Sequence, residues 1–143
     1  MGARLYCVDG TNLVRTAYEY GGPDQVAQED ADTDRVAVIF ARLCEEAGSK
    51  IEIELFFDGA FRTLGGPRPA NFRVSFTRES AADDMILDRV RSRKWSGGGT
   101  TTVVTADGDL GRMTETEGGK WMKYGHGSSP ESVAGRIGGR FFK

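Results

Sequence analysis

Three short apolar runs that each end on Asp-Gly limit what this chain can become. Leu5-Tyr6-Cys7-Val8-Asp9-Gly10, Glu54-Leu55-Phe56-Phe57-Asp58-Gly59 and Thr102-Val103-Val104-Thr105-Ala106-Asp107-Gly108 are too short for helices and are stopped by glycine, so they read as buried strands. Taken singly, each Asp-Gly pair is an ordinary turn, with aspartate accepting backbone hydrogen bonds and glycine supplying positive φ. Three strands with the same ending say more. Parallel in one sheet, they deliver their carboxylates to a single edge, which is where open α/β sheets bind ligands. Acids gathered there repel one another unless a cation holds them, so a metal site is the leading expectation.

Between these runs the chain alternates helical and strand signals. Residues 11–20 form a short helix that Gly21-Gly22-Pro23 ends, and the acidic residues 24–32 read as a surface loop. Thr33 or Asp34 then caps a helix with Val36, Ile39, Phe40, Leu43, Cys44 and Ala47 at helical spacing, stopped by Gly48. In the second strand Glu52 and Glu54 alternate with Ile51, Ile53 and Leu55, so one side near its start is expected to face solvent. A flexible basic loop with Arg62 and Arg68 precedes a third strand at residues 72–76. Ser80 is the expected cap of the next helix, whose last turn carries Arg91, Arg93 and Lys94. Residues 100–106 are neutral and β-branched, a strand for the sheet interior. A short helix at 107–117, a strand at 120–124 and a final helix from Ser128-Ser129-Pro130-Glu131, burying Val133, Ile137, Phe141 and Phe142, complete the pattern. Such alternation makes a three-layer α/β domain with a mostly parallel central sheet.

A length of 143 residues suits one domain over 1–143, and 38% apolar with 28% charged residues is a soluble globular composition. No apolar run approaches the ~18 residues of a membrane span. The first strand begins at once, without a basic, apolar and small-residue leader pattern, so the expected location is cytoplasmic. Cys7 and Cys44 are too few for a disulfide framework or a thiolate zinc site and read as core residues. The net charge of −2 supplies no global attraction to nucleic acid, yet acids concentrated at one site leave basic residues for its approaches.

Asp83 and Asp84 fall in the first turn of the helix after the third strand, near the edge that Asp9, Asp58 and Asp107 share. The helix dipole rewards a first-turn acid by about 0.3–1 kcal/mol, which accounts for one of the two comfortably. Magnesium and manganese bind oxygen ligands, take one or two carboxylates, and fill their other positions with water and phosphate. Asp9, Asp83 and Asp107 can supply such ligands, directly or through water, and Asn12 can hold a water or a phosphate oxygen without adding charge. Asp58 and Asp109 are peripheral candidates, Asp109 better explained as a helix cap. His126, between two glycines, reads as a loop residue. No Ser/His/Asp or Cys/His set points to nucleophilic catalysis.

Asp9-Gly10-Thr11-Asn12, Phe56-Phe57-Asp58, Thr77-Arg78-Glu79-Ser80-Ala81-Ala82-Asp83-Asp84-Met85-Ile86 and Val104-Thr105-Ala106-Asp107 resemble, in order, the motifs of NYN domains. With the ending Gly125-His126-Gly127-Ser128-Ser129-Pro130-Glu131, the likeness is closest to the YacP-like branch of these PIN-like ribonucleases. Ala81 stands where that pattern has Thr. The resemblance implies a Rossmann-like PIN/NYN fold and Mg²⁺- or Mn²⁺-dependent endonucleolytic cleavage of RNA by a metal-activated water. It sets metal-binding acids at Asp9, Asp83 and Asp107, with Asn12 and Asp84 as further site residues. Arg62, Arg68, Arg78 and Lys94 would then neutralise the RNA backbone, with single-stranded RNA or mRNA as substrate and the ribosome as a partner that could present it. Asp-Gly-Thr after a strand is also similar to haloacid-dehalogenase-type phosphatases. Their nucleophilic aspartate would sit at Cys7, and a thiol cannot form the phosphoaspartyl intermediate. The remaining alternative is a non-catalytic RNA-binding or scaffold module of the same fold.

Overall fold

The computed structural model describes residues 4–17, 25–78, 81–125 and 127–139. Strand β1 (Arg4–Asp9) runs into helix α1 (Gly10–Ala17), and helix α2 (Gln25–Ala47) passes through a 3₁₀ turn (Gly48–Lys50) into β2 (Ile51–Phe57). Then come β3 (Phe72–Phe76), α3 (Ala82–Trp95), β4 (Thr101–Thr105), α4 (Gly108–Thr116), β5 (Lys120–Lys123) and α5 (Pro130–Gly138). The strands form one sheet in the order β3-β2-β1-β4-β5, parallel at every pairing.

Burial on both faces explains why the strands read as unbroken apolar runs. In β1, Tyr6 and Val8 pack with Leu13, Val14, Phe40 and Ile137, from α1, α2 and α5. Leu5 and Cys7 point the other way, toward Ile86, Val90 and Leu110 of α3 and α4. Two helical layers therefore enclose the sheet, as the alternation of elements implied. Both cysteines are free and buried. From β1 the chain steps outward to β2 and β3, then crosses to β4 and β5 on β1's other side. This reversal opens a crevice at the carboxyl ends of β1 and β4, the usual ligand position in such sheets.

Three local expectations are corrected. Helix α2 starts at Gln25 and not at Thr33, so residues 25–32, expected as a surface loop, are helical. Its polar side chains have partners that hydrophobic periodicity does not reveal. Gln28 Nε2 donates to both oxygens of the buried Asp32, Glu29 lies 3.6 Å from Arg15, and Asp30 lies 3.2 Å from Arg62. The Thr33 hydroxyl bonds back to the Glu29 carbonyl at 2.8 Å, while Asp34 accepts from Gly65 N at 2.6 Å, so neither is a cap.

Glu54, expected on a solvent-facing side, is buried. Arg89 of α3 binds it through Nε at 2.9 Å and Nη2 at 3.2 Å, and the Ser75 hydroxyl donates at 2.8 Å. The loop after β2, expected to be flexible, is pinned. Asn71 Nδ2 donates to the carbonyls of Cys44, Gly48 and Ile51, and Arg62 is held by Asp30 and the Asp58 carbonyl. Gly21, Gly22, Pro23, Ser80, His126, Phe141 and Phe142 lie outside the described residues. Among those described, no helix is long and apolar enough to cross a membrane.

Arg89→Ala leaves the buried Glu54 carboxylate without its cation. Chemical denaturation is expected to show a loss of about 1.5–3 kcal/mol, the range for hydrogen bonds to charged groups.

Candidate active site

Asp9 is the last residue of β1 and only 4% exposed. Its Oδ1 accepts from the Asn12 backbone N–H at 3.2 Å, and its Oδ2 accepts from the Thr105 hydroxyl at 3.3 Å. Thr105 closes β4, so this bond spans the crevice. Burial pushes the Asp9 carboxyl up to about 7; the charges of Asp83 and Asp58 add to the rise, and the Asn12 N–H opposes it. Asp83, in the first turn of α3, is also raised by burial, then by the charges of Asp107, Asp58 and Asp84. Acids from the carboxyl ends of three strands and the start of α3 thus share one electrostatic field.

Two of these acids also build the edge they face. Ala81 offers α3 no side-chain cap, and Asp58 Oδ1 supplies one from β2 by accepting from Ala82 N at 2.8 Å. The Asp58 N–H in turn donates to the Thr11 hydroxyl at 2.7 Å, so Asp58 is anchored beside the site. Asp107 caps α4 with Oδ1, which accepts from the N–H groups of Asp109 and Leu110. The cap role assigned to Asp109 therefore belongs to Asp107. Asp109 itself is 83% exposed at its side chain and pairs with Arg112. Asp84 is exposed next to Asp83.

Asn12 acts as a clamp. Its Oδ1 accepts from Ala106 N at 3.0 Å and from the Tyr124 hydroxyl, with the Thr105 hydroxyl 3.5 Å away, tying the start of α1 to the ends of β4 and β5. Burial, followed by the charge of Asp9, raises the Tyr124 hydroxyl above its ordinary range. Thr105 also accepts from Asp107 N at 3.1 Å, which makes its hydroxyl a hub between two of the acids. Sequence reasoning missed Thr11, Thr105 and Tyr124. Each stands at a strand end or helix start, but only sheet order reveals that these ends adjoin.

The basic residues separate. Arg62 and Arg78 follow β2 and β3 at the acidic edge, Arg62 half-buried and Arg78 exposed. Arg68 folds onto the carbonyls of its own loop at Leu64, Gly65 and Pro67. Lys94 lies at the opposite edge, in the last turn of α3 beside Gly118. It shares a helix with Asp83 but is separated from it by the length of that helix.

No protein-family model matches the sequence, and no curated protein matches it. The solved structures do contain a counterpart: the crystal structure of a point mutant of Rae1 (YacP) from Bacillus subtilis superposes with a TM-score of 0.63, at 16% identity, over 96% of this chain and 76% of that one. The fold is YacP-like. At this identity the likeness speaks for architecture, and it bears out the Rossmann-like PIN/NYN expectation.

Within this YacP-like frame, the donor set suits a hard divalent cation: carboxylate oxygens dominate, and burial and mutual repulsion hold two of their acids above the ordinary range. Among the described residues no three Asp, Glu, His or Cys side chains come close enough to hold one ion directly. What fits is coordination by one or two carboxylates with water completing the shell, the habit of magnesium.

The sign for stability follows from Asp9. Its folded carboxyl binds a proton more tightly than the unfolded one, so stability falls as pH rises from about 4 to about 7 and levels off beyond. Asp9→Asn should remove that penalty, on the order of a few kcal/mol, and raise the metal-free Tm by several degrees above about pH 7 while flattening the pH profile. Asn12→Ala, by contrast, should lower Tm at every pH, with about 1–3 kcal/mol lost on denaturation because the Ala106 and Tyr124 donors lose their acceptor.

Proposed function

We propose that this chain is a divalent-metal-dependent endoribonuclease that hydrolyses RNA phosphodiester bonds. The observation that carries the reading is Asp9, a carboxylate buried in the β1–β4 crevice and raised first by that burial and then by the charges of Asp83 and Asp58. Charge of one sign, buried together, is costly unless a cation compensates it. Asp9 and Asp83 would hold Mg²⁺ or Mn²⁺ directly, and Asp107, with one oxygen committed to α4, through water. Bound there, the ion supplies a water of lowered pKa and offsets charge on the phosphodiester.

The chain's own residues prepare that site. Asn12 and Thr105 orient Asp9 across the crevice, and Asp58 fixes the start of α3 and with it Asp83. Asp84, exposed beside Asp83, is available to orient water or substrate. Arg62 and Arg78 would offset backbone phosphates at the same edge, giving salt-sensitive binding. The motif resemblance to YacP-like ribonucleases and the shared YacP-like fold support RNA as substrate; single-stranded RNA or mRNA is the proposed form, with the ribosome as a candidate presenting partner.

One observation favours a second reading. The lack of a direct three-ligand group among the described residues suits an RNA-binding scaffold that has the fold without the chemistry. A panel of single-stranded RNA, duplex RNA and DNA, with Mg²⁺, Mn²⁺ or chelator, separates the two. Cleavage of RNA that needs the metal, and that falls roughly 10²- to 10⁴-fold in folded Asp9→Asn and Asp83→Asn, is the expected result. Undiminished cleavage in both variants, or cleavage that survives chelation, removes the mechanism. A wild-type protein that binds RNA and never cuts it supports the scaffold.

A further inference from the structure

Phe61, four residues past the end of β2, is 69% exposed. It is nevertheless held in place. Its ring meets Phe76 edge-on, with centroids 5.5 Å apart and planes at 74°, and Phe76 stacks on Phe57 at 5.8 Å. The Phe57 ring lies against Gly10, where an added Cβ would fall 2.5 Å from Phe57 Cε1. A row of three rings thus begins at the backbone that follows Asp9 and ends in solvent. The Arg62 guanidinium sits 5.2 Å from the Phe76 centroid and donates to the Asp58 carbonyl at 2.9 Å, bracing the row from the side.

A second observation concerns Arg78, after β3. Arg78 has φ +58°, a backbone region that costs an arginine energy, and strain of this kind gathers at functional sites. Its N–H donates to the Gly59 carbonyl at 2.8 Å, and the two residues form an isolated bridge. The bridge draws the segment after β3 against the segment carrying Phe61. An exposed ring and an exposed cation therefore stand on two segments joined one residue past Asp58, a pairing that matches the apolar face and the charged backbone of a nucleotide.

We propose that Phe61 stacks an unpaired nucleobase of the RNA substrate next to the bond that is cut, with Arg78 offsetting the adjacent phosphate. The proposal rests on the nuclease reading of the acidic edge and adds a source of single-strand preference. Bases paired in a duplex present no free face to the ring, whereas any unpaired base does. Phe61 acts as a positioning residue, so its loss falls mainly on KM.

The test compares a short oligoadenylate with the same oligomer carrying abasic sites, which keeps the phosphates and removes the bases. Affinity is read by fluorescence anisotropy in EDTA, and KM and kcat by cleavage in Mn²⁺. For the full chain, Phe61→Ala should weaken binding and raise KM for the oligoadenylate roughly ten- to hundredfold and bring its affinity down to that of the abasic oligomer. Phe61→Trp should restore the preference for bases, and Phe61→Leu should not. Trp95, 90% exposed in the last turn of α3, is the control, and Trp95→Ala should keep the wild-type preference. A Phe61→Ala protein that still favours the base-bearing oligomer as wild type does, or an equal loss in Trp95→Ala, overturns the inference while metal-dependent cleavage by wild type keeps the nuclease reading intact. Absence of both RNA binding and cleavage in wild type removes the two together.

Discussion

A carboxylate is buried where two parallel strands part, and much of the carboxyl edge is arranged around that charge. Asp9 sits at the seam between β1 and β4, where the chain reverses the direction in which it adds strands. Backbone and hydroxyl donors from Asn12 and Thr105 stabilise its ionised form, but burial above all, and then the charges of Asp83 and Asp58, work against it. The balance leaves the carboxyl near neutrality in affinity for a proton. A group in that condition gains from a cation, because the ion offsets the cost of the buried charge and cancels the field of the neighbours at once.

The same acids serve as structure. Asp58 follows β2 directly and begins α3 by capping a helix whose own N-cap residue, Ala81, has no side-chain acceptor. Asp107 ends β4's approach and begins α4 in the same way. Each helix start is thereby positioned by the acid it must face, which couples the packing of the α3 and α4 layer to the spacing of the charges. Asn12 adds the opposite layer by joining α1 to the ends of β4 and β5. A small displacement of one strand end would be felt across the whole edge, since its donors and acceptors are shared.

How far the chain could be read in advance depended on how local each signal was. Strands β1, β2 and β4 were legible because parallel strands covered on both faces need apolar residues throughout, and glycine marks their ends. The first turns of α2 were not, because Gln28, Glu29, Asp30 and Asp32 find partners in their own helix, in α1 and in the β2–β3 loop, contacts with no sequence period. Glu54 misled for a similar reason: alternation marked it as solvent-facing, while Arg89, far along the chain, made its burial tolerable. Lys94 seemed to belong with the other basic residues, yet a helix antiparallel to the strands carries its last turn to the opposite edge.

The sequence by itself determined the layered α/β architecture and the delivery of aspartates to the ends of β1, β2 and β4, because hydrophobic burial and glycine breaks act over a few residues. Only tertiary structure decided which acid caps which helix, that Thr105 and Tyr124 join Asn12 at the crevice, and that Phe61 stands at the end of a braced aromatic row. Those outcomes hang on strand order and on contacts between distant segments. Hydrogen bonds and charge interactions act through space, and the distances that govern them exist only once the sheet has assembled.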